Sequence, residues 1–194
     1  IYAGSLVNPE LLSYTKKGCE CLNSAYMTLD EVIDALQKGE EEGKKMVRLH
    51  TGDPSIYGAI REQMDRLEEL GIGYETCPGV TAVFGAAAAL NLELTVPEVS
   101  QSLIITRMAG RTTVPEKESI ESFAAHHATM AVYLSAGHLK ELSERLMAGG
   151  YRKDTPAAIV YKATWPEQLC LKCTVSTHAE EAKKPGIKKT AAIL

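Results

Sequence analysis

The feature that most restricts the fold of this chain is its alternation of short apolar runs with longer stretches of helical periodicity. "IYAGSLV", the run at 46–50, "GYETCPG", "SLIITR", "MAVYLS", "AAIVYKA", "LCLKCTV" and "TAAIL" all have strand length. Between them stand helical patterns with recognisable ends. Asn8-Pro9 supplies a cap and a first-turn proline ahead of Leu11 and Leu12. Thr28 and Glu31 make a capping box for "LDEVIDALQKG", which closes at Gly39. Leu139, Leu142 and Leu146 share one face of "HLKELSERLMAGG". Such alternation predicts an α/β protein with largely parallel strands. The break at Leu94 to Pro97 divides it into two α/β domains, 1–95 and 96–194. The first sheet is expected to be mainly parallel. The second is expected to be mixed, because its last two long strands read as an antiparallel hairpin across "TWPEQ".

Where strands feed helices, loops are placed to hold ligands. In "KMVRLHTGDPSIYGAI" Pro54 pushes Asp53 out of helical geometry, so Asp53 reads as an N-cap with Pro54 at the first helical position. Ile56, Ile60, Met64 and Leu67 would then carry the helix. Thr51, Gly52 and Asp53 stand at the mouth of this turn, which reads equally as an efficient cap. A second loop, "CPGVTAVFGAAAA", opens a helix at Val80 with free N–H groups and puts Thr81 and Ala82 at its start. Gly85 and the alanines after it suit either tight packing or close approach of a ligand. A third, "TRMAGRTTVPEKE", joins Arg107 at a strand end to Arg111 on a loop freed by Gly110, a pairing suited to carboxylates.

Several function classes fall away. The formal charge of −4 argues against general nucleic-acid binding, and any anionic substrate must meet a local basic cluster. No apolar run approaches a membrane span and no signal core is visible, so a cytoplasmic location is expected. Five cysteines, an odd number, do not make a disulfide framework. Cys170 and Cys173 form a CxxC, but strand alternation points them to opposite faces and no second pair is suitably spaced, so no metal is expected. The histidines show no ligand spacing and read as surface or satisfied groups. There is no phosphate loop, no GxSxG and no HExxH, so no catalytic residue is assigned. The chain begins within an extended segment and ends on "AAIL", which reads as a piece of a longer protein.

"TGDPSIYG", "PGVTAVFGAAA", "PEVSQSLIITR", "AGRTTVPEKE", "ATMAVYLS" and "YKATWPEQ" follow one another in an order that resembles the tetrapyrrole methylases. "EVSQSLIITRMAGRTTVPEKE" points to their precorrin-4 and cobalt-precorrin-4 C(11)-methyltransferase branch in cobalamin biosynthesis. The resemblance implies two α/β domains with S-adenosylmethionine in a cleft between them, and a homodimer. It places Thr51, Gly52, Asp53 and Ile56 in the first cofactor-contacting loop and Thr81 and Ala82 in the second. Leu134 and Ala163 take cofactor-contacting positions of the second domain, and Arg107 and Arg111 are left to bind the carboxylates of the tetrapyrrole. The family's first strand and "GxGPGD" loop have no counterpart here, so weak methylation is expected of a molecule that begins at Ile1. A methylase of different regiochemistry and a non-catalytic nucleotide-binding module stay open as alternatives. Methyl transfer from a sulfonium needs alignment more than acid–base groups, which fits a chain with no conspicuous nucleophile.

Overall fold

A computed structural model describes residues 1–4, 6–110 and 112–194; Arg111, one of the expected substrate residues, lies outside them. The described residues form two compact units, Ile1–Thr81 and Ala82–Leu194.

In the first unit, the Thr28 hydroxyl accepts from the Glu31 amide while Glu31 accepts from the Thr28 amide, and this capping box starts α1, Leu29–Glu41. Such a cap stabilises a helix by about 0.5–2 kcal/mol. Gly39 does not end α1; it lies inside the helix, where Met46 packs over it. The predicted Asn8-Pro9 device works as read, with Asn8 capping a six-residue 3₁₀ turn, Pro9–Tyr14. Val32, Ile33 and Leu36 of α1 pack with Leu67 of α2, Arg61–Glu69, and with Ile72.

Strand pairing in this unit is sparser than the pattern predicts. Tyr2 forms single parallel bridges to Asn23 and Leu49, so the parallel sense holds but the expected 46–50 strand shrinks to Leu49. "GYETCPG" forms no strand. Extended runs count as strands only where a neighbour supplies a ladder, and here the short Ile1–Ala3 segment is the neighbour of Leu22–Ser24 and of Leu49.

The second unit is a five-stranded mixed sheet in the order β1-β2-β5-β3-β4. β1, Leu103–Arg107, and β2, Thr129–Tyr133, are parallel. β3, Pro156–Tyr161, and β4, Leu169–Thr174, are the predicted hairpin, and β5, Ala191–Ile193, runs antiparallel between β2 and β3. Alternation along β3 serves two faces. Ala158 and Val160 pack on Ala86 and Leu90 of α3, Ala82–Leu90. Ile159 and Tyr161 face α4, Ile120–Ala124, α5, Leu139–Ala148, and α6, His178–Lys183. α3 therefore packs with the second unit, although the boundary expected from the sequence put it in the first. The predicted helix "EKESIESFAAHH" is interrupted: a 3₁₀ turn at Glu116–Glu118 ends where Ser119 turns extended and caps α4.

The two thiols of the CxxC separate as strand geometry requires. Cys170 joins the α3 face and Cys173 the opposite one, where burial pushes its thiol up to about 11.

His178 departs from the surface or satisfied reading. It is fully buried; Nε2 donates to the Leu139 carbonyl at 2.9 Å and, among the described residues, Nδ1 has no hydrogen-bond partner. Burial holds the imidazole below its ordinary 6.5, opposed by the weaker pull of nearby carbonyls. The unfolded chain takes up a proton near 6.5 and the folded chain resists it, so this contribution is complete above pH 6.5 and lost as the pH falls further. Urea midpoints should therefore drop from pH 7 to pH 5, with a shallower slope in His178→Gln. An identical slope in the variant would contradict the assignment.

Candidate functional site

The predicted cap at Asp53 starts no helix. Residues 51–60 form a loop, and α2 begins only at Arg61. Asp53 Oδ1 accepts from the Ser55 amide at 2.9 Å and from the Ser55 hydroxyl, an Asx-type turn in place of a helical first turn. Tyr57 and Ala59 then take positive φ, 56° and 49°, which interrupts helical geometry. A Cβ at Gly58 would overlap the Pro54 carbonyl, so the turn closes too tightly for a side chain there.

The other Asp53 oxygen reaches across the chain. Oδ2 accepts from the Gly79 amide at 2.7 Å, joining the first loop to the Pro78-Gly79 turn. These three hydrogen bonds hold the carboxyl below its ordinary value, the Ser55 hydroxyl contributing most. The approach is close: a Cβ on Gly79 would overlap the Gly52 carbonyl oxygen and lie 3.3 Å from Asp53 Cα. Thr51 and Gly52 are exposed on this joined surface, while Ile56 is half-buried. Thr81 is buried rather than open at the mouth.

In the second unit Ala82 is exposed at the start of α3, and the next amide, Val83 N–H, donates to the Tyr133 hydroxyl at 2.6 Å. Leu134 follows directly after β2 with φ 55° and is 67% exposed, although apolar. Ser135 beneath it is fully buried; its hydroxyl donates to the Tyr133 carbonyl and accepts from the Met108 amide. The ends of β1 and β2 are thereby tied together while Leu134 is turned outward. Ala163 leaves β3 between two further left-handed residues, Lys162 and Thr164. Lys162 lies 4.8 Å from the Trp165 ring centre, and the Thr164 amide donates to Gln168 at 2.8 Å. Backbone strain of this kind, here just after β2 and just after β3, is a mark of functional sites. A Cβ on Gly85 would meet Ala163 at an ordinary 3.7 Å, so packing does not demand a glycine there.

Arg107 turns back onto its own loop. Nη1 donates to the Met108 and Thr112 carbonyls, and Nη2 to the Thr112 hydroxyl and the Thr113 carbonyl. The guanidinium thus holds Met108, Thr112 and Thr113 of the loop after β1. Sequence reading missed this, and it missed Arg48 and Gln63, whose side chains bond to each other beside the first loop.

Residues 1–179 match the family of Tetrapyrrole (Corrin/Porphyrin) Methylases. The chain belongs to this family. Among its relatives, the tetrapyrrole methylase from Methanocaldococcus jannaschii named cobalt-precorrin-4 C(11)-methyltransferase is 53% identical over all of this chain and 75% of its own length. The precorrin-4 C(11)-methyltransferase of Pseudomonas aeruginosa is 43% identical, again over the whole chain and 77% of the relative. The crystal structure of a cobalamin biosynthetic enzyme, cobalt precorrin-4 methyltransferase, superposes with a TM-score of 0.96 at 44% identity, covering 99% of this chain and 80% of that one. The mixed α/β architecture is that of the tetrapyrrole methylases.

Proposed function

We propose that this chain methylates carbon 11 of precorrin-4 or cobalt-precorrin-4, with S-adenosylmethionine as donor, in cobalamin biosynthesis. The observation that carries the reading is 53% identity, without loss of coverage along the chain, to a relative that bears this activity in its name. The residues present fit the donor. Gly79 and Gly52 meet with no room for a Cβ, exposing backbone beside a carboxylate-clamped turn, and this suits a ligand recognised through main-chain groups. Thr51, Gly52, Asp53, Ile56, Thr81, Ala82, Leu134 and Ala163 are the proposed contacts. Bound there, the donor supplies an electrophilic methyl group on sulfur.

Asp53 uses both oxygens within the protein, so its role is to hold the first loop against the Gly79 turn. Leu134 offers an apolar wall. Arg107 contributes to substrate binding by setting the loop, and Arg111 supplies the cation for a tetrapyrrole carboxylate. A charged hydrogen bond to such a group is worth roughly 1.5–3 kcal/mol, reduced by solvent in an open site. An electron-rich macrocycle carbon brings its own nucleophilicity, so positioning carries most of the catalysis. Cobalt, where present, belongs to the substrate.

Five unpaired thiols fit a cytoplasmic, reducing location, and no helix among the described residues is long and apolar enough to cross a membrane. A homodimer is part of the proposal; exposed Leu92, Val96 and Val99 along one segment are consistent with it.

The test supplies both precorrin-4 forms with methyl-labelled donor. One labelled methyl at carbon 11 is the expected product. Label on another ring carbon would indicate different regiochemistry. Failure to bind S-adenosylhomocysteine, followed through Trp165, the single tryptophan, would remove the methyltransferase reading.

A further inference from the structure

We infer that Gln63, oriented by Arg48, is a positioning residue that holds the 51–60 loop in its cofactor-ready shape; the cofactor part rests on the function proposed above. The Gln63 side chain is buried, at 9% exposure, on the inner face of α2. Its Nε2 donates to the Ala59 carbonyl at 2.8 Å, and its Oε1 accepts from Arg48 Nε at 3.1 Å. Arg48 stands at the entrance to the loop, Ala59 at its exit and Gln63 on the helix that follows. The two hydrogen bonds therefore form a strap across the base of the loop.

The chemistry gives each partner a separate task. A carboxamide has an acceptor end and a donor end, and a guanidinium only donates. Arg48 thus selects the orientation in which the Gln63 NH₂ faces Ala59. Arg48 itself is half-buried, its pKa lowered by burial, and no carboxylate pairs with it among the described residues. Its Nη1 also donates to the Ile1 carbonyl at 3.4 Å, which holds the guanidinium beside the amide it orients.

Ala59 explains why a strap is needed. Its φ of 49° is disfavoured for a residue with a Cβ, and Tyr57 two positions earlier is also left-handed. Strained backbone of this kind persists only where its surroundings over-determine it. Relaxation of Ala59 toward ordinary helical geometry would extend α2 backward into the loop. Ser55 and Gly79 would then lose the geometry in which Asp53 holds both amides.

The experiment uses Gln63→Met, Ala59→Gly and the double variant, with Arg48→Met as a milder test should Gln63→Met fold poorly. Hydrogen exchange of the Ser55 and Gly79 amides is read in the ligand-free protein, and S-adenosylhomocysteine affinity by calorimetry. Gln63→Met should speed both amides and weaken binding about tenfold. Ala59→Gly removes the Cβ that makes the conformation costly, so in the double variant both readouts should return toward the starting values. A packing role for Gln63 would not be rescued by a glycine at 59. Unchanged exchange in a folded Gln63→Met or Arg48→Met protein, or no rescue, overturns the inference. If exchange responds as expected but the unaltered protein does not bind S-adenosylhomocysteine, the strap stands and the cofactor reading falls.

Discussion

Gly79→Ala should weaken S-adenosylhomocysteine binding by about tenfold to a hundredfold, the range that corresponds to overpacking by one methyl in a site that cannot relax. The added carbon would overlap the Gly52 carbonyl oxygen and sit 3.0 Å from the Gly52 carbonyl carbon. Both obstacles are backbone, so no rotamer change relieves them. The two turns must separate, and the 2.7 Å bond from the Gly79 amide to Asp53 lengthens with them. The sheet of the second unit contains neither turn, so far-ultraviolet circular dichroism should be nearly unchanged. Calorimetry on the folded variant decides the matter: affinity within twofold of the unaltered protein would mean that this close approach is no part of the binding surface.

Gly149→Ala should lower stability by about 1–3 kcal/mol without touching the proposed site. Gly149 ends α5 with ordinary φ, so the obstacle is space alone. A Cβ there would lie 2.5 Å from Ala124 Cβ, 2.5 Å from the Glu121 carbonyl oxygen and 2.8 Å from Glu121 Cα. To admit it α4 must move from α5, which also disturbs the paired bonds from Arg145 to Glu121 at 2.7 and 2.8 Å. In a chain of this size each kcal/mol shifts the thermal midpoint by about 2–4 °C, so a fall of roughly 6–12 °C is expected at the upper end. A midpoint within 1 °C of the starting value, the order of experimental scatter against that expected shift, would show that the helices separate freely.

Much of the second unit was legible because its signals are local. The strands "SLIITR" and "MAVYLS", the leucine face of α5 and the β3–β4 hairpin all follow from period and turn residues. The same holds for the Thr28–Glu31 box, where both partners lie within one helical turn. The opposed thiols of Cys170 and Cys173 follow from the pleat. "TGDP" misled because Asp-Pro is an equally good start for a helix and for a free turn. Neither the left-handed Tyr57 and Ala59 nor the distant Gly79 amide leaves a mark in the neighbouring residues.

By itself the sequence determined most elements of the second unit and their order, the capped α1 of the first, and the family to which the chain belongs. Each depends on residues a few positions apart, or on motifs read as strings. Tertiary structure alone decided that Asp53 is a clamp between two turns and that Arg107 closes on its own loop. It also decided that His178 is sealed in the core and that Gln63 straps the first loop. Those outcomes are hydrogen bonds between groups that only folding brings together, and for His178 and Gln63 burial also removes the competing water.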